Sequence, residues 1–247
     1  MDLSIIIPAF NESARIVSTL DTTVRFLSER PWQWEIIVVD DGGQDGTAQL
    51  VEDYAAAQSA VRLVENDRNR GKGYSVRNGV AAATGAVIGF VDADDKTDIR
   101  AVDTVMELLL EDGDDDGAGV DVVIGDRTLP DSHIVVPRRG YREWGSKQFS
   151  RLLLRFVGLG EFPDTQCGFK FFRADAASAL FGALRTDGYM FDVEIILRAR
   201  ASCCRIRRIA VRWTDDADSR FNPVVGMIRN LRELARIKRM LRRSVEG

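Results

Sequence analysis

The chain has 247 residues, 45% of them hydrophobic, with six prolines and a formal net charge of −4. That length suits one large α/β domain or two small ones, and that composition buries a core instead of staying disordered. The mildly acidic balance carries no nucleic-acid signature. The first run, "LSIIIPAF" at 3–10, is short, β-branched and stopped near Pro8, as a buried strand ending at a loop would be. Apolar residues at helical spacing follow from Ile16 to Leu27. Then "WEIIVVDDGGQDGT" repeats the design of strand, acidic end and glycine turn, ahead of a helix from about Thr47 to Ala57. "VRLVEN" predicts a third strand, "GKGYSVRNGVAAATG" a glycine loop opening into a helix, and "AVIGFVDADD" a fourth strand. Strict alternation of strand and helix implies right-handed crossovers and a mainly parallel sheet.

The acidic run from Glu111 to Gly119 is expected to be a solvated connector before the strand "VDVVIGDR". Beyond Arg127 the alternation stops. Trp144, Phe149, Leu152, Leu153, Phe156 and Val157 have helical spacing with a basic opposite side, followed by "DTQCGFKFF", a helix ending at "GYMFDVEIILRARA" and a strand "RIRRIAVRWTD". No repeat or linker marks a second domain, so a single domain over 1–220 is expected. In the tail, 221–247, Val224, Met227, Ile228, Leu231, Leu234 and Leu241 form an apolar stripe, and from Val224 to Arg243 the basic residues oppose one acid, Glu233. Such a basic amphipathic helix either touches a membrane surface or packs on its own domain.

Cys167, Cys203 and Cys204 show neither zinc spacing nor a disulfide framework, which fits a reducing cytosol. The sole histidine, His133, argues against His-based metal sites and a Ser-His-Asp arrangement. No basic signal region opens the sequence, and no apolar run reaches the roughly 18 to 20 residues of a membrane span, so a soluble or peripheral cytoplasmic protein is expected.

In parallel sheets ligands collect outside the carboxyl ends of the strands. Asn11, Asp40, Asp41, Asp92 and Asp94 all fall there. The stretch "GFVDADDKTD" puts four carboxylates within seven residues, either as a surface loop or around a divalent cation. If the strand persists, side chains two apart point the same way, so Asp92 and Asp94 face one site. Oxygen ligands suit Mg²⁺ or Mn²⁺, ions that share coordination with substrate phosphates. Arg70, Lys72 and Arg77 lie around Gly71 and Gly73 just ahead of a helix, where the positive helix end favours anions. An ordinary basic turn is the alternative, and the loop does not match the phosphate loop of nucleotide triphosphatases.

Taken in order, "IIIPAFNE", "EIIVVDDGGQDGT", "NRGKGYSVRNG", "FVDADDKTD", "DTQCGFKFF", "FDVE" and "VRW" resemble the family-two glycosyltransferases. The set is similar to the branch of dolichyl-phosphate β-glucosyltransferases and polyprenyl-phosphate sugar synthases, and it spans Leu3 to Arg220. The resemblance implies a GT-A fold: a Rossmann-like, mainly parallel sheet flanked by helices, with an acceptor-side helical extension. Residues 1–127 would be the nucleotide-sugar-binding half and 128–220 the acceptor half. It also implies a nucleotide-diphosphate sugar donor, Mg²⁺ or Mn²⁺, and inversion at the anomeric carbon.

Carried over by residue, Pro8, Asn11 and Glu12 would line the nucleotide pocket, and Asp41 would meet the base with Asp40 supporting it. Lys72 and Arg77 would lie near the donor phosphates, and Asp92 and Asp94 would hold the metal. Asp164 would sit near sugar and acceptor, with Gln166 and Lys170 in the same motif. Asp192 and Glu194 would face the site or orient its loops. Arg127 and Arg220, with Arg138, Arg139, Arg142 and Lys147, could supply the cations an anionic acceptor needs. Two places depart from the family pattern: Asp95 stands where a small glycine is usual, and "DSR" at 218–220 where Gly-Ser-Lys is usual.

The leading expectation is transfer of a hexose, glucose from UDP-glucose, onto a polyprenyl or dolichyl phosphate at the inner face of the membrane. An anionic acceptor needs no strong base. A soluble hydroxyl acceptor is the alternative; it requires a carboxylate to take the proton, for which Asp164 is the candidate. A non-catalytic nucleotide-sugar-binding protein is the third possibility.

Overall fold

Alternating side chains decide how the sheet is covered. In the computed structural model, residues 1–110, 119–135, 158–214 and 233–239 are described. Strand β1 (Leu3–Ala9) sends Ile5 and Ile7 into one apolar layer and Ile6 into the other, and β2 (Trp34–Asp40) divides Ile36 and Val38 from Ile37 and Val39 in the same way. Helices α1 (Ile16–Ser28), α2 (Thr47–Ala57) and α4 (Val102–Leu110) cover the first layer. Helices α3 (Lys72–Ala82), α5 (Ala174–Ala183) and α6 (Phe191–Ala201) cover the second. Both faces are buried, so the strands read as nearly unbroken hydrophobic runs, and each fully buried Ile or Val contributes about 1.5–3 kcal/mol.

Five further strands complete the sheet's seven: β3 (Val61–Glu65), β4 (Val87–Val91), β5 (Val122–Asp126), β7 (Phe169–Arg173) and β8 (Ile206–Ala210). Their order is β3-β2-β1-β4-β7-β5-β8. Short β6 (His133–Ile134) and β9 (Arg212–Trp213) pair in parallel as a separate ribbon. The first four strands and three helices occur where the sequence places them.

The second half differs in detail. No element is expected from sequence at "DTQCGFKFF", yet 169–173 form a central strand antiparallel to both β4 and β5. Five residues interrupted by a lysine hide the period of a buried strand. The single helix expected before "RARA" is two, α5 and α6, joined across 184–190. The strand expected at "RIRRIAVRWTD" splits into β8 and β9 on either side of Val211.

The helical pattern of Trp144 to Val157, most of the acidic connector and most of the tail lie outside the described residues. Residues 233–239 are helical, with Leu234 and Ile237 buried in the second layer and Arg236 and Arg239 exposed. The described part of the apolar stripe therefore packs on the chain itself. Among the described residues no helix is long and apolar enough to cross a membrane.

Candidate active site

A crevice opens where β1 loses one neighbour. Pairing of β1 with β4 ends at Ile6 and Phe90, while pairing with β2 runs on to Ala9 and Asp40. Pro8 lies beyond the last β4 pair, where its missing N–H costs no ladder bond on that side. Strand β7 runs opposite to β4, so Phe169 pairs with Val91 and the preceding segment 164–168 arrives at the same end as Asp92. The carboxyl end of β5 adds Arg127. Residues distant in sequence thus meet at one edge, as expected where the strand order reverses.

On one side of the crevice, Asn11 adopts a left-handed backbone (φ 56) and its side-chain oxygen accepts from Gln44 N at 2.9 Å. Asn tolerates that conformation better than most residues. Glu12 forms a salt bridge with Arg15, and its own N–H donates to Thr47. Asp45 accepts from Ser13 N and from the Thr47 hydroxyl, joining the loop after β1 to the start of α2. Although burial opposes it, this set of hydrogen bonds holds the Asp45 carboxyl far below the usual range.

The two adjacent aspartates at the end of β2 have different employment. Asp41 accepts from Asn66 Nδ2 at 2.7 Å, Arg70 N at 2.9 Å and Gly71 N at 2.7 Å, so its carboxylate clamps the 66–71 loop. Asp40 accepts from Gly43 N through Oδ2, and its Oδ1 is buried with no hydrogen-bond partner among the described residues. Burial pushes its carboxyl up, as an incompletely satisfied acid requires. Asp41, which the resemblance places at the base, is thus engaged with the 66–71 loop, and Asp40 beside it keeps a buried acceptor.

The expected phosphate cradle at the start of α3 is not open either. Gly71 N is taken by Asp41, while Gly73 N and Tyr74 N both donate to the Asp187 carbonyl, which caps the helix end from within the chain. Arg77 donates to Leu184 O at 3.1 Å and to Asp187 at 2.8 Å, so it holds the 184–187 segment. Of this loop's cations, Lys72 is the one that reaches Asp92 among the described residues: its Nζ lies 2.5 Å from Oδ1, whereas Arg70 binds Asp67 and Arg77 binds Asp187. The surroundings of Asp92 work against ionisation, but the Lys72 ammonium outweighs them and keeps its carboxyl below the usual range. Asp94 pairs with Lys96 at 3.2 Å.

Lys170 is fully buried and donates to Asp192 Oδ1 at 2.5 Å and to the Cys167 carbonyl at 2.7 Å. It ties β7 to α6 and fixes the 164–168 segment. Glu194, also fully buried, accepts from Arg185 N, Thr186 N and Arg198 Nε, so it orients the loop between α5 and α6. Gln166 is exposed and donates to Tyr189 O at 3.4 Å. Asp164 receives three hydrogen bonds from Arg127: from N at 2.9 Å, Nε at 2.7 Å and Nη2 at 2.7 Å. Burial raises the carboxyl and the guanidinium lowers it further, leaving it below the usual range. The Arg127 guanidinium also lies 5.0 Å from the centre of the Trp213 ring. Arg220, Arg138, Arg139, Arg142 and Lys147 lie outside the described residues.

Gly168 is a site residue that the sequence pattern does not single out. A Cβ there would fall 2.0 Å from Asp92 Oδ2, and Asp92 N donates to Gly168 O at 3.1 Å. Its glycine permits β7 to back the carboxylate directly. Among the described residues no three His, Cys, Asp or Glu side chains group as a complete metal shell. Asp92 and Asp94, each now paired with a lysine, are hard oxygen ligands of the kind that suit Mg²⁺ or Mn²⁺ completing its shell with substrate phosphate and water.

The family model for glycosyl transferase family 2 matches residues 4–181. The chain belongs to that family. It is 34% identical to a dolichyl-phosphate β-glucosyltransferase of Dictyostelium discoideum, over 96% of this chain and 73% of that one. It is 31% identical to the Saccharomyces cerevisiae protein of the same name, over 96% and 74%. Among solved structures, glucosyl-3-phosphoglycerate synthase from Mycobacterium tuberculosis, in complex with Mn²⁺, UDP and phosphoglyceric acid, superposes with a TM-score of 0.67 at 21% identity, covering 96% of this chain and 76% of that one. Mannosyl-3-phosphoglycerate synthase from Rubrobacter xylanophilus gives 0.69 at 17% identity, covering 100% and 76%. The fold is GT-A, and the chain is a glycosyltransferase.

Proposed function

We propose that this glycosyltransferase moves glucose from UDP-glucose onto a polyprenyl phosphate, with inversion, at the cytoplasmic face of a membrane. The relatives named above support a lipid phosphate as acceptor and glucose as the sugar. The observation that carries the choice of acceptor is the state of Asp164. Both its oxygens are engaged by Arg127, so the side chain best placed to deprotonate a hydroxyl is already committed and weakly basic. A phosphate oxygen needs no such base.

In this account the acceptor oxygen attacks the anomeric carbon as the bond to the diphosphate oxygen breaks. The nucleoside diphosphate leaves from the opposite face, which inverts the centre without a proton transfer. Asp164 aims Arg127, and the guanidinium N–H groups not used on Asp164 receive the acceptor phosphate, a geometry guanidinium suits. The base lies at the carboxyl end of β2, at Asp40 and Asp41. Asp92 and Asp94 would hold Mg²⁺ or Mn²⁺, and the ion would supply Lewis-acid stabilisation of the departing diphosphate.

Calorimetric titration with UDP, UDP-glucose and GDP-mannose, with and without Mn²⁺, tests the donor side. Manganese-dependent binding of UDP-glucose, lost in Asp94→Asn, is the expected result. Absence of nucleotide binding under either condition overturns the assignment of the site.

A further inference from the structure

The Asp92 carboxylate already holds a cation. It lies flat against Gly168, where an added methyl group would meet Oδ2 at 2.0 Å and Oδ1 at 2.4 Å. Its Oδ1 binds Lys72 Nζ at 2.5 Å. A divalent ion would approach a carboxylate oxygen to about 2.0–2.1 Å for Mg²⁺. The ammonium and the metal therefore compete for one carboxylate, and their like charges oppose simultaneous occupancy there.

Two lysines flank Phe90, with ammonium groups 5.8 Å and 5.3 Å from the ring centre for Lys72 and Lys170. They differ in freedom. Lys170 is fully buried and bound to both Asp192 and the Cys167 carbonyl. Lys72 keeps a 17% exposed side chain and has Asp92 as its one hydrogen-bond partner among the described residues. Its backbone does not need to move, because the neighbouring Gly71 and Gly73 amides are tied to Asp41 and Asp187. The side chain alone can swing on its four-carbon stem.

We propose that Lys72 is a place-holder for the divalent cation: it occupies Asp92 Oδ1 while the donor is absent and moves to the donor diphosphate when metal and nucleotide enter together. The inference rests on the proposed metal and nucleotide site and adds the order of its assembly. The diphosphate gives Lys72 a new anionic partner and gives the metal further oxygen ligands, so each arrival removes an obstacle to the other. Metal and nucleotide then bind with positive coupling, and by linkage each raises the other's affinity by the same factor. Without nucleotide, the lysine keeps the ion off.

The test reads bound Mn²⁺ by electron paramagnetic resonance, with and without UDP, in the full chain and in Lys72→Met. Wild type should bind Mn²⁺ about tenfold or more tightly once UDP is present, within the usual range of such couplings. Lys72→Met should bind Mn²⁺ more tightly than wild type in the absence of UDP, by about tenfold, the effect expected on removing a neighbouring like charge. Its UDP enhancement should shrink accordingly. Should the methionine variant fold poorly by circular dichroism, Lys72→Gln makes the same comparison with a neutral hydrogen-bonding partner for Asp92. Nucleotide-free Mn²⁺ affinity that is unchanged or weaker in the folded variant, with Mn²⁺ and UDP still binding, overturns the place-holder alone. Failure of both proteins to bind Mn²⁺ even with UDP overturns the metal site itself, and this inference with it.

Discussion

Arg127 grips Asp164 through both its backbone and its guanidinium, so one residue from the end of β5 fixes the carboxylate ahead of β7. The Asp164 side chain is 8% exposed and that of Arg127 23%. Removing one partner leaves a nearly buried charge without its counterion. Arg127→Ala is therefore expected to lower stability by about 3–5 kcal/mol, measured by urea unfolding at neutral pH. Arg127→Lys should recover part of that stability but little transfer, because a point charge cannot replace the fork that holds Asp164.

The same pair predicts the pH behaviour of the reaction. Asp164 lies below its ordinary value of 3.8 in the folded protein. The pairing therefore adds stability above that value and loses it as pH falls through the depressed folded value. At the pH of assay the carboxylate is already fully ionised, so the kcat/KM profile should show no acidic limb belonging to it. Asp164→Asn should lower the whole profile without changing its shape. An acidic limb in the wild type that vanishes in Asp164→Asn would instead mark a working base and a hydroxyl acceptor.

Gly168→Ala should damage binding more than its single methyl suggests. The added carbon meets Asp92 Oδ2, so the carboxylate or the strand must shift. Overpacking of this kind costs about 1–3 kcal/mol, and the displacement moves a metal ligand. Loss of Mn²⁺-dependent UDP binding in a protein with near-native circular dichroism is the expected outcome. Unchanged binding would show that Asp92 is not held by β7.

At the other end of the sheet, Glu35 accepts from Ser4 Oγ at 2.6 Å, Thr84 N at 2.8 Å and Arg62 Nε at 3.0 Å. Burial pushes the carboxyl up, but these hydrogen bonds prevail and hold it below its ordinary 4.5. The contribution is present above that value and fades as pH falls through the folded one. Glu35→Gln should cost about 1–3 kcal/mol at neutral pH. The difference from wild type should narrow in urea unfolding at about pH 3. A gap independent of pH would mean that the charge of Glu35 contributes nothing.

The first half of the fold was legible because Ile5 to Ile7 and Ile36 to Val39 lie in strands buried on both faces, and the helices between them keep their apolar spacing. Aspartates at strand ends announced the crevice for the same reason. What the sequence could not supply was direction and partnership. Nothing in "FKFF" says that β7 runs antiparallel, and that reversal alone brings Asp164 and Gly168 to Asp92. Likewise, the spacing of Gly71 to Arg77 suggests an anion site, but the Asp187 carbonyl that fills it comes from more than a hundred residues away in sequence. Asp40 and Asp41 are adjacent and chemically identical, and only the 66–71 loop distinguishes them. Asp95, where the family pattern has glycine, proves to have φ 52, which accounts for a preference that spacing alone leaves unexplained.

The central claim concerns the acceptor, and one measurement addresses it directly. Purified protein with Mn²⁺ and radiolabelled UDP-glucose is offered a polyprenyl phosphate, the matching polyprenol without phosphate, and a panel of soluble hydroxyl compounds. Label should enter the lipid phosphate alone, and transfer should fail in Asp94→Asn. Transfer to the polyprenol or a soluble hydroxyl compound, with none to the lipid phosphate, contradicts the account and returns Asp164 to the role of base.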